Sequence, residues 1–93
     1  MHKAPIVTLI YMKGCGACHA AMPEFRKLAQ MYPQLRYRML DLDTIKNAPF
    51  PIPYTPTFHV ALPGRYVVTD PTKTDATAQG LANWLRGAIR GGQ

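Results

Sequence analysis

The sequence predicts an α/β fold in which a strand–helix–strand unit is followed by a β-hairpin and a final helix. A β-branched apolar run over residues 6–12 precedes a helical pattern that ends at Pro33. A second strand follows, and Pro63-Gly64 marks the turn of a hairpin. Because a βαβ unit pairs its strands in parallel and a hairpin adds antiparallel strands, we expect a four-stranded mixed sheet covered by both helices. The chain has 93 residues, so we expect a single domain over residues 1–93.

The first half of the chain contains the βαβ unit. Residues 6–12 are apolar on both faces except at Thr8, which is typical of a buried strand. From about Cys15, apolar residues recur at helical spacing, at Ala21, Phe25, Leu28 and Tyr32. Pro23 lies inside this pattern and is expected to kink the helix after its first two turns. Residues 35–40 alternate with a period of two and predict the second strand.

The second half begins with a proline-rich segment. Residues 47–54 carry prolines at three alternate positions, which predicts a loop, with one helical turn before it at residues 44–46. Residues 57–62 and 65–69 are the predicted hairpin strands, and residues 70–74 a further loop. The last helix is predicted from apolar residues at helical spacing, which are Leu81, Trp84, Leu85, Ala88 and Ile89. It is expected to end at Gly91-Gly92.

Composition excludes several classes of protein. The apolar runs are only a few residues long, against the ~20 residues that a membrane-spanning helix needs. No secretory signal is visible at the start of the chain, so we expect a cytoplasmic protein. Eleven Lys and Arg against five Asp and Glu give a net charge of +6, but the basic residues are dispersed. A solvated basic surface is therefore favoured over a nucleic-acid site, and an acidic partner stays an alternative.

The two cysteines, Cys15 and Cys18, fall at the predicted junction between the first strand and the first helix. A disulfide-framed miniprotein needs four or more cysteines, and a bridge across so short a loop stabilises a fold little. A helix N-terminus instead lowers the pKa of a thiol, because unpaired N–H groups favour the thiolate. We therefore predict that Cys15 is the exposed nucleophile, with Lys13 as an auxiliary positive charge. Cys18, one turn later, would resolve the mixed disulfide.

A C-x-x-C motif at such a junction resembles the thioredoxin and glutaredoxin family, which implies a minimal thioredoxin fold. Pro23 matches the helix-kinking proline of thioredoxins. Pro56, at the start of the third strand, matches their cis-proline. The resemblance implies that Pro56 is cis and packs over the disulfide, and that the backbone of Thr55 pairs with the substrate chain. Gly16 and Ala17 would complete this substrate-binding surface.

The resemblance covers residues 6–89 and lacks the N-terminal strand and helix of full-length thioredoxins. Residues 35–40 would then form a sheet edge, where charged side chains such as Arg36 and Arg38 deter edge-to-edge pairing. The buried aspartate of thioredoxins falls on Leu9, and His19 is the nearest titratable group that could replace it.

Two short segments also depart from the family pattern. Gly14 stands where thioredoxins have Trp, and Gly-Ala replaces the Gly-Pro that usually separates the cysteines. Residues 68–71 lack the Gly-Gly and acidic helix start with which glutaredoxins bind glutathione. A protein disulfide is therefore favoured over glutathione as the obligate partner.

These observations predict a monomeric thiol–disulfide oxidoreductase that reduces protein disulfides as a thioredoxin- or glutaredoxin-like electron carrier. The expected partners are protein disulfides and a thioredoxin-reductase-like or glutathione-based electron donor. We expect the protein to bind neither a membrane nor a nucleic acid. We expect no cofactor beyond the Cys15–Cys18 disulfide and no metal.

Three alternatives use the same residues. Residues 15–19 also spell the c-type haem attachment motif, although a buried strand before it is unlike the mostly helical small cytochromes. A zinc site would need Cys15, Cys18 and His19, with a fourth ligand from His59 or His2. A thioredoxin-fold binding module for an acidic partner would leave the cysteines idle. Asp41 and Asp43 flank a predicted strand end and are expected to cap a loop rather than to hold a metal or act as an acid–base pair.

Overall fold

The structure, a computed structural model that describes residues 4–45, 52, 54–69 and 74–91, contains one mixed sheet and two helices. The elements follow in the order β1 (Ile6–Tyr11), α1 (Gly16–Met31), β2 (Arg36–Asp41), β3 (Thr57–Leu62), β4 (Arg65–Val68) and α2 (Ala78–Arg90). The strand order is β2-β1-β3-β4, in which β1 is parallel to β2, and β3 is antiparallel to β1 and β4. The predicted α/β class and element order are confirmed.

The predicted boundaries are correct to within a residue or two. α1 begins at Gly16 because Cys15 is its N-cap, and the helix continues through Pro23 to Met31. The hairpin turn falls at Gly64, whose φ of 76° is a left-handed conformation that glycine adopts without strain. A turn over residues 41–44 is closed by a 3.1 Å bond from the Thr44 N–H to the Asp41 carbonyl, whereas the predicted helical turn at residues 44–46 lies partly outside the described residues. The predicted loops lie largely outside the described residues.

Both helices pack against the same face of the sheet. Alternate residues of β1 and β3 belong to one buried cluster with both helices, and its members are Val7, Leu9, Ala21, Phe25, Leu28, Phe58, Val60, Leu81, Ala82, Leu85 and Ala88. At its centre, the ring of Phe25 lies 6.0 Å from that of Phe58 and 5.8 Å from that of Tyr37, centroid to centroid. The apolar residues that recur at helical and strand spacing in the sequence therefore pack into one core, which holds α1 against the sheet.

The opposite face of the sheet carries polar side chains, several of them buried. Thr8 and His59 are buried there, and the Arg38 Nε donates a 2.9 Å hydrogen bond to the Thr8 hydroxyl. The His59 ring stacks on Tyr66 at 5.1 Å. β2 is an edge strand and its Arg36 is exposed, as predicted.

The buried imidazole of His59 makes stability depend on pH. Burial lowers the pKa of His59 below its ordinary value of 6.5, and the positive charge of Arg38 lowers it further. Between pH 6.5 and this lower value, the unfolded chain binds more protons than the folded one. We therefore expect the free energy of unfolding to fall as the pH is lowered from 7.5 to 5.5, as measured by urea denaturation. His59→Gln should flatten this slope, and an unchanged slope in that variant would contradict the assignment.

The start of α2 depends on a close approach at Gly80. The Thr77 hydroxyl accepts a 3.1 Å bond from the Gly80 N–H as the N-cap contact. A Cβ on Gly80 would lie 2.6 Å from the Cβ of Asp75 and would also overlap the Asp75 carbonyl oxygen. Only glycine therefore fits at this position without a shift of the backbone.

Two Gly→Ala substitutions in α2 should have opposite effects. Gly80→Ala gains about 1 kcal/mol of helix propensity, but overpacking costs about 1–3 kcal/mol, so we expect a net loss of stability. A Cβ on Gly87 would meet no atom within 4 Å, so Gly87→Ala should stabilise by about 0.5–1 kcal/mol. Thermal unfolding of both variants measures the difference. A stabilised Gly80→Ala variant would show that residues 74–77 move away at little cost.

Candidate active site

The sulfur of Cys15 caps the N-terminus of α1. Cys15 has extended backbone angles (φ −95°, ψ 109°), and its Sγ accepts a 3.1 Å hydrogen bond from the Cys18 N–H. A 3.2 Å bond from the Cys15 N–H to the Met12 carbonyl closes the turn that leads out of β1. The sulfur thus occupies the place that a Ser or Asp oxygen takes in most helix caps. Negative charge on the sulfur is favoured there, because the first N–H groups of a helix lack partners within it.

The two cysteines form a disulfide but differ in their access to solvent. Their Cα atoms are 5.2 Å apart. Cys18 is fully buried at 0% exposure, whereas Cys15 is partly exposed. A large disulfide substrate can therefore reach the sulfur of Cys15 but not that of Cys18.

The segment before β3 lies against Cys15. The Thr55–Pro56 peptide bond is cis, as the family resemblance implies. The Thr55 carbonyl oxygen is 3.6 Å from the Cys15 Sγ, although 40 residues separate them in the sequence. Gly16 and Ala17, which follow Cys15 in the first turn of α1, are exposed. The structure thus brings the candidate residues 15–18, 55 and 56 together.

Two predicted auxiliary residues point elsewhere. The imidazole of His19 is exposed, and its Nε2 lies 2.8 Å from the Lys13 carbonyl oxygen. Adjacent helical residues point about 100° apart, so His19 does not face the buried side chain of Cys18. The ammonium of Lys13 lies 3.9 Å from a carboxylate oxygen of Asp41 and is 75% exposed. In this structure the His19 ring contacts the Lys13 carbonyl and the Lys13 ammonium pairs with Asp41, so the auxiliary roles of both residues stay predictions.

Asp41, the last residue of β2, and Asp43, in the turn after it, have the predicted capping role. Asp41 accepts a 2.9 Å bond from the Asp43 N–H through its carboxylate. Asp43 in turn accepts a 3.2 Å bond from the Lys13 N–H. These carboxylates therefore fix the loop before Cys15. Leu9, at the position of the family aspartate, is fully buried in the apolar core.

The ligand set of the zinc alternative does not come together in the described part of the chain. There, no group of three or more His, Cys, Asp or Glu side chains is placed to hold a metal ion. His59 is stacked on Tyr66 in the sheet, and His2 lies outside the described residues.

The helices of the described part are too short or too polar to cross a membrane.

A groove of about 510 Å³ adjoins the cysteine pair. Its described lining comes from α1, the cis-proline segment and the approach to α2, and comprises Ala17, Ala20, Ala21, Glu24, Pro56, Phe58, Thr69, Thr74, Asp75, Ala76 and Thr77. This groove was not predicted from the sequence, although residues 17, 20, 21 and 24 have the spacing of one helix face. Only the packing of α1 beside residues 74–77 reveals that this face borders a cavity.

Comparison with known proteins agrees with this geometry. The thioredoxin family model matches residues 1–87. Thioredoxin-like 3-3 of Arabidopsis thaliana is 34% identical over 65 residues, which are 70% of this chain. The match spans about half, 52%, of that protein's length.

Solved thioredoxins share the fold. Spinach chloroplast thioredoxin f, long form, is 25% identical with a TM-score of 0.72, over 95% of this chain and 73% of its own. The germline-specific thioredoxin Deadhead of Drosophila melanogaster is 21% identical with a TM-score of 0.74, over 89% of this chain and 79% of its own. A complex of ferredoxin:thioredoxin reductase with thioredoxin f2 contains a chain 22% identical with a TM-score of 0.75, over 95% and 80%. Because the family model matches nearly the whole sequence and the cysteine pair lies at the start of α1, the chain belongs to the thioredoxin family.

Proposed function

We propose that this chain is a dithiol–disulfide oxidoreductase that reduces disulfides in other proteins. The observation that carries the proposal is the position of the Cys15 sulfur. It accepts the Cys18 N–H at 3.1 Å at the start of α1 and faces the Thr55 carbonyl at 3.6 Å. A helix start that favours the thiolate, beside the bend at residues 54–56, suits nucleophilic attack on a disulfide held against that bend.

The proposed reaction proceeds in two exchange steps. The Cys15 thiolate, whose proton has gone to water, attacks one sulfur of the substrate disulfide. A Cys15–substrate bond forms, the substrate disulfide breaks, and the departing thiolate takes the proton of Cys18. The Cys18 thiolate then attacks the Cys15 sulfur, and the Cys15–Cys18 disulfide forms as the second substrate thiolate leaves and takes a proton from water. Two electrons pass from the dithiol to the substrate.

Substrate docking is proposed at the residues around Cys15. The carbonyl of Thr55 would accept a hydrogen bond from the backbone of an extended substrate segment, with Pro56 beside it. A Cβ on Gly16 would meet no atom within 4 Å, so the first turn of α1 leaves room for that segment. Ala17 would line its far side. This arrangement would bring the substrate sulfur to Cys15 and keep it from Cys18 until the second step.

The electron donor is proposed to be a dithiol of the thioredoxin-reductase class. The complex of ferredoxin:thioredoxin reductase with a structural relative supports this class of partner. Four further expectations from the sequence stay predictions. They are a glutathione-based donor, a glutaredoxin-like role in electron transport, action as a monomer and a cytoplasmic location.

Reduction of insulin disulfides tests the proposal. With dithiothreitol as the dithiol donor, the wild-type protein should accelerate insulin precipitation in proportion to its concentration. A Cys15→Ser/Cys18→Ser double variant at the same concentration is the matched control. Equal rates for the two proteins would refute the proposed function. An absorbance scan of the purified protein tests the haem alternative, because attached haem would give a Soret band.

A further inference from the structure

The groove beside the cysteine pair indicates which disulfides the protein selects, an inference that rests on the proposed function. Ala17 lies between the two cysteines, and Pro56 follows Thr55, whose carbonyl faces the Cys15 sulfur. A substrate segment that presents its disulfide to Cys15 therefore extends into the groove. The groove volume of about 510 Å³ falls within the range of about 300–1,000 Å³ that is usual for ligand sites, which is room for side chains beyond the cysteine itself.

The part of the groove nearest the cysteines is apolar. Ala17, Ala20 and Ala21 present only methyl groups along one face of α1, and Phe58 is buried at the base. Such a surface offers no side-chain hydrogen bond to an occupant, so it favours an apolar side chain. Burial of that side chain would stabilise the encounter in proportion to the apolar area covered.

The opposite end of the groove is acidic. Glu24 and Asp75 are the charged residues among its described lining. Glu24 accepts the Ala78 N–H at 2.9 Å and pairs with Lys27 at 3.0 Å, and both contacts lower the pKa of its carboxyl. It is therefore ionised at neutral pH, with its charge partly balanced by Lys27.

The charge of Asp75 is less neutralised by neighbouring groups than that of Glu24 and is more available to a substrate cation. Its two oxygens accept hydrogen bonds from the N–H and the hydroxyl of Thr77, at 3.0 and 2.9 Å. Both donors are neutral, and the ion pairs within the described residues do not include Asp75. A cation in the groove would therefore meet a carboxylate without a competing ammonium or guanidinium from the described part of the chain.

We propose that the groove selects protein disulfides whose cysteine is flanked by an apolar side chain and then by a basic one. The same carboxylates repel anionic disulfides, including glutathione disulfide. The net charge of +6 acts at longer range and leads to the opposite expectation, a preference for acidic substrates. A faster reaction with basic substrates would therefore indicate an effect of the groove, and a faster reaction with acidic substrates an effect of the overall charge.

Two matched peptide disulfides test the proposal. One is the disulfide dimer of capped Lys-Leu-Cys-Leu-Lys and the other that of capped Glu-Leu-Cys-Leu-Glu, so the direction of docking is not assumed. The second-order rate constant of each is measured in a single turnover with pre-reduced protein, with glutathione disulfide as a third substrate. We expect the lysine peptide to react on the order of fivefold faster than the glutamate peptide, the scale of partly exposed ion pairs.

Asp75→Asn should bring this rate ratio to about twofold or less, because the substitution removes the charge while the amide oxygen can still accept the Thr77 N–H. Asp43→Asn removes the same charge at the loop before Cys15, outside the groove, and should leave the ratio near its wild-type value. Equal reduction of both peptides, a preference for glutamate, or the same loss of ratio in both variants would overturn the proposal while the proposed function stands. If neither peptide nor insulin is reduced, both fail.

Discussion

Cys15→Ser is expected to reduce the rate of insulin reduction to that of dithiothreitol alone. A serine hydroxyl can still cap α1, so the fold should persist, but it cannot form the mixed disulfide with the substrate. Circular dichroism of the variant checks the fold, and the turbidity assay measures the loss. This large effect on activity with little effect on structure separates a catalytic cysteine from a structural one.

Cys18→Ser should interrupt the reaction one step later. Cys15 can still attack the substrate disulfide, but no thiol at position 18 can resolve the mixed disulfide. A covalent adduct of protein and substrate should therefore accumulate and appear as a higher-mass band on a non-reducing gel. The Cys15→Ser variant is the matched control and should give no adduct with the same substrate.

The opposite pattern of adducts would reverse the assigned roles. It would require the buried Cys18 to meet the substrate before the partly exposed Cys15 does. If instead both variants kept full biological activity, the binding-module alternative would replace the proposed oxidoreductase function.

Phe58→Ala is expected to be the most destabilising single substitution among those considered. Phe58 is 2% exposed and packs against Phe25 between the sheet and α1. Truncation of a buried phenylalanine costs about 3–5 kcal/mol, out of the 5–15 kcal/mol that is usual for the free energy of unfolding. For a chain of this size, the melting temperature should fall by roughly 12–40 °C.

Phe58→Leu provides the control for this substitution. It keeps most of the apolar volume and should cost much less, about 1–2 kcal/mol. If the alanine and leucine variants lost the same stability, the loss would come from a local effect of the strand rather than from the cavity. Calorimetry of both variants gives the comparison.

The sequence predicted the parts of the fold that depend on local signals. The hairpin follows from Pro63-Gly64 because Gly64 has to adopt a positive φ, and that requirement is visible in the residue itself. The cysteine pair is predicted at the start of α1 because a strand pattern ends and a helical pattern begins around it. The cis bond at Pro56 was predicted from the family resemblance, since most bonds before proline are trans.

The parts that the sequence could not predict depend on packing between distant segments. Glu24 accepts the first N–H of α2 from 54 residues away, and no local pattern indicates that contact. Arg65 donates a 2.7 Å bond to the Ala88 carbonyl near the end of α2, so a residue counted in the net charge has a structural role. The auxiliary role of His19 stays a prediction, because adjacency to Cys18 in sequence does not place the two side chains on one face of a helix.

The N-cap contact of Cys15 makes the Cys18 amide proton a reporter of the redox state. A sulfur in a disulfide is a weak, neutral acceptor, whereas a thiolate is a charged one, so the 3.1 Å bond should strengthen on reduction. The chemical shift of this proton and its rate of exchange with solvent should therefore change when the Cys15–Cys18 disulfide is reduced. Thermodynamic linkage requires the same coupling in reverse, so the Cys15 thiolate of the reduced form gains stability from the intact first turn of the helix.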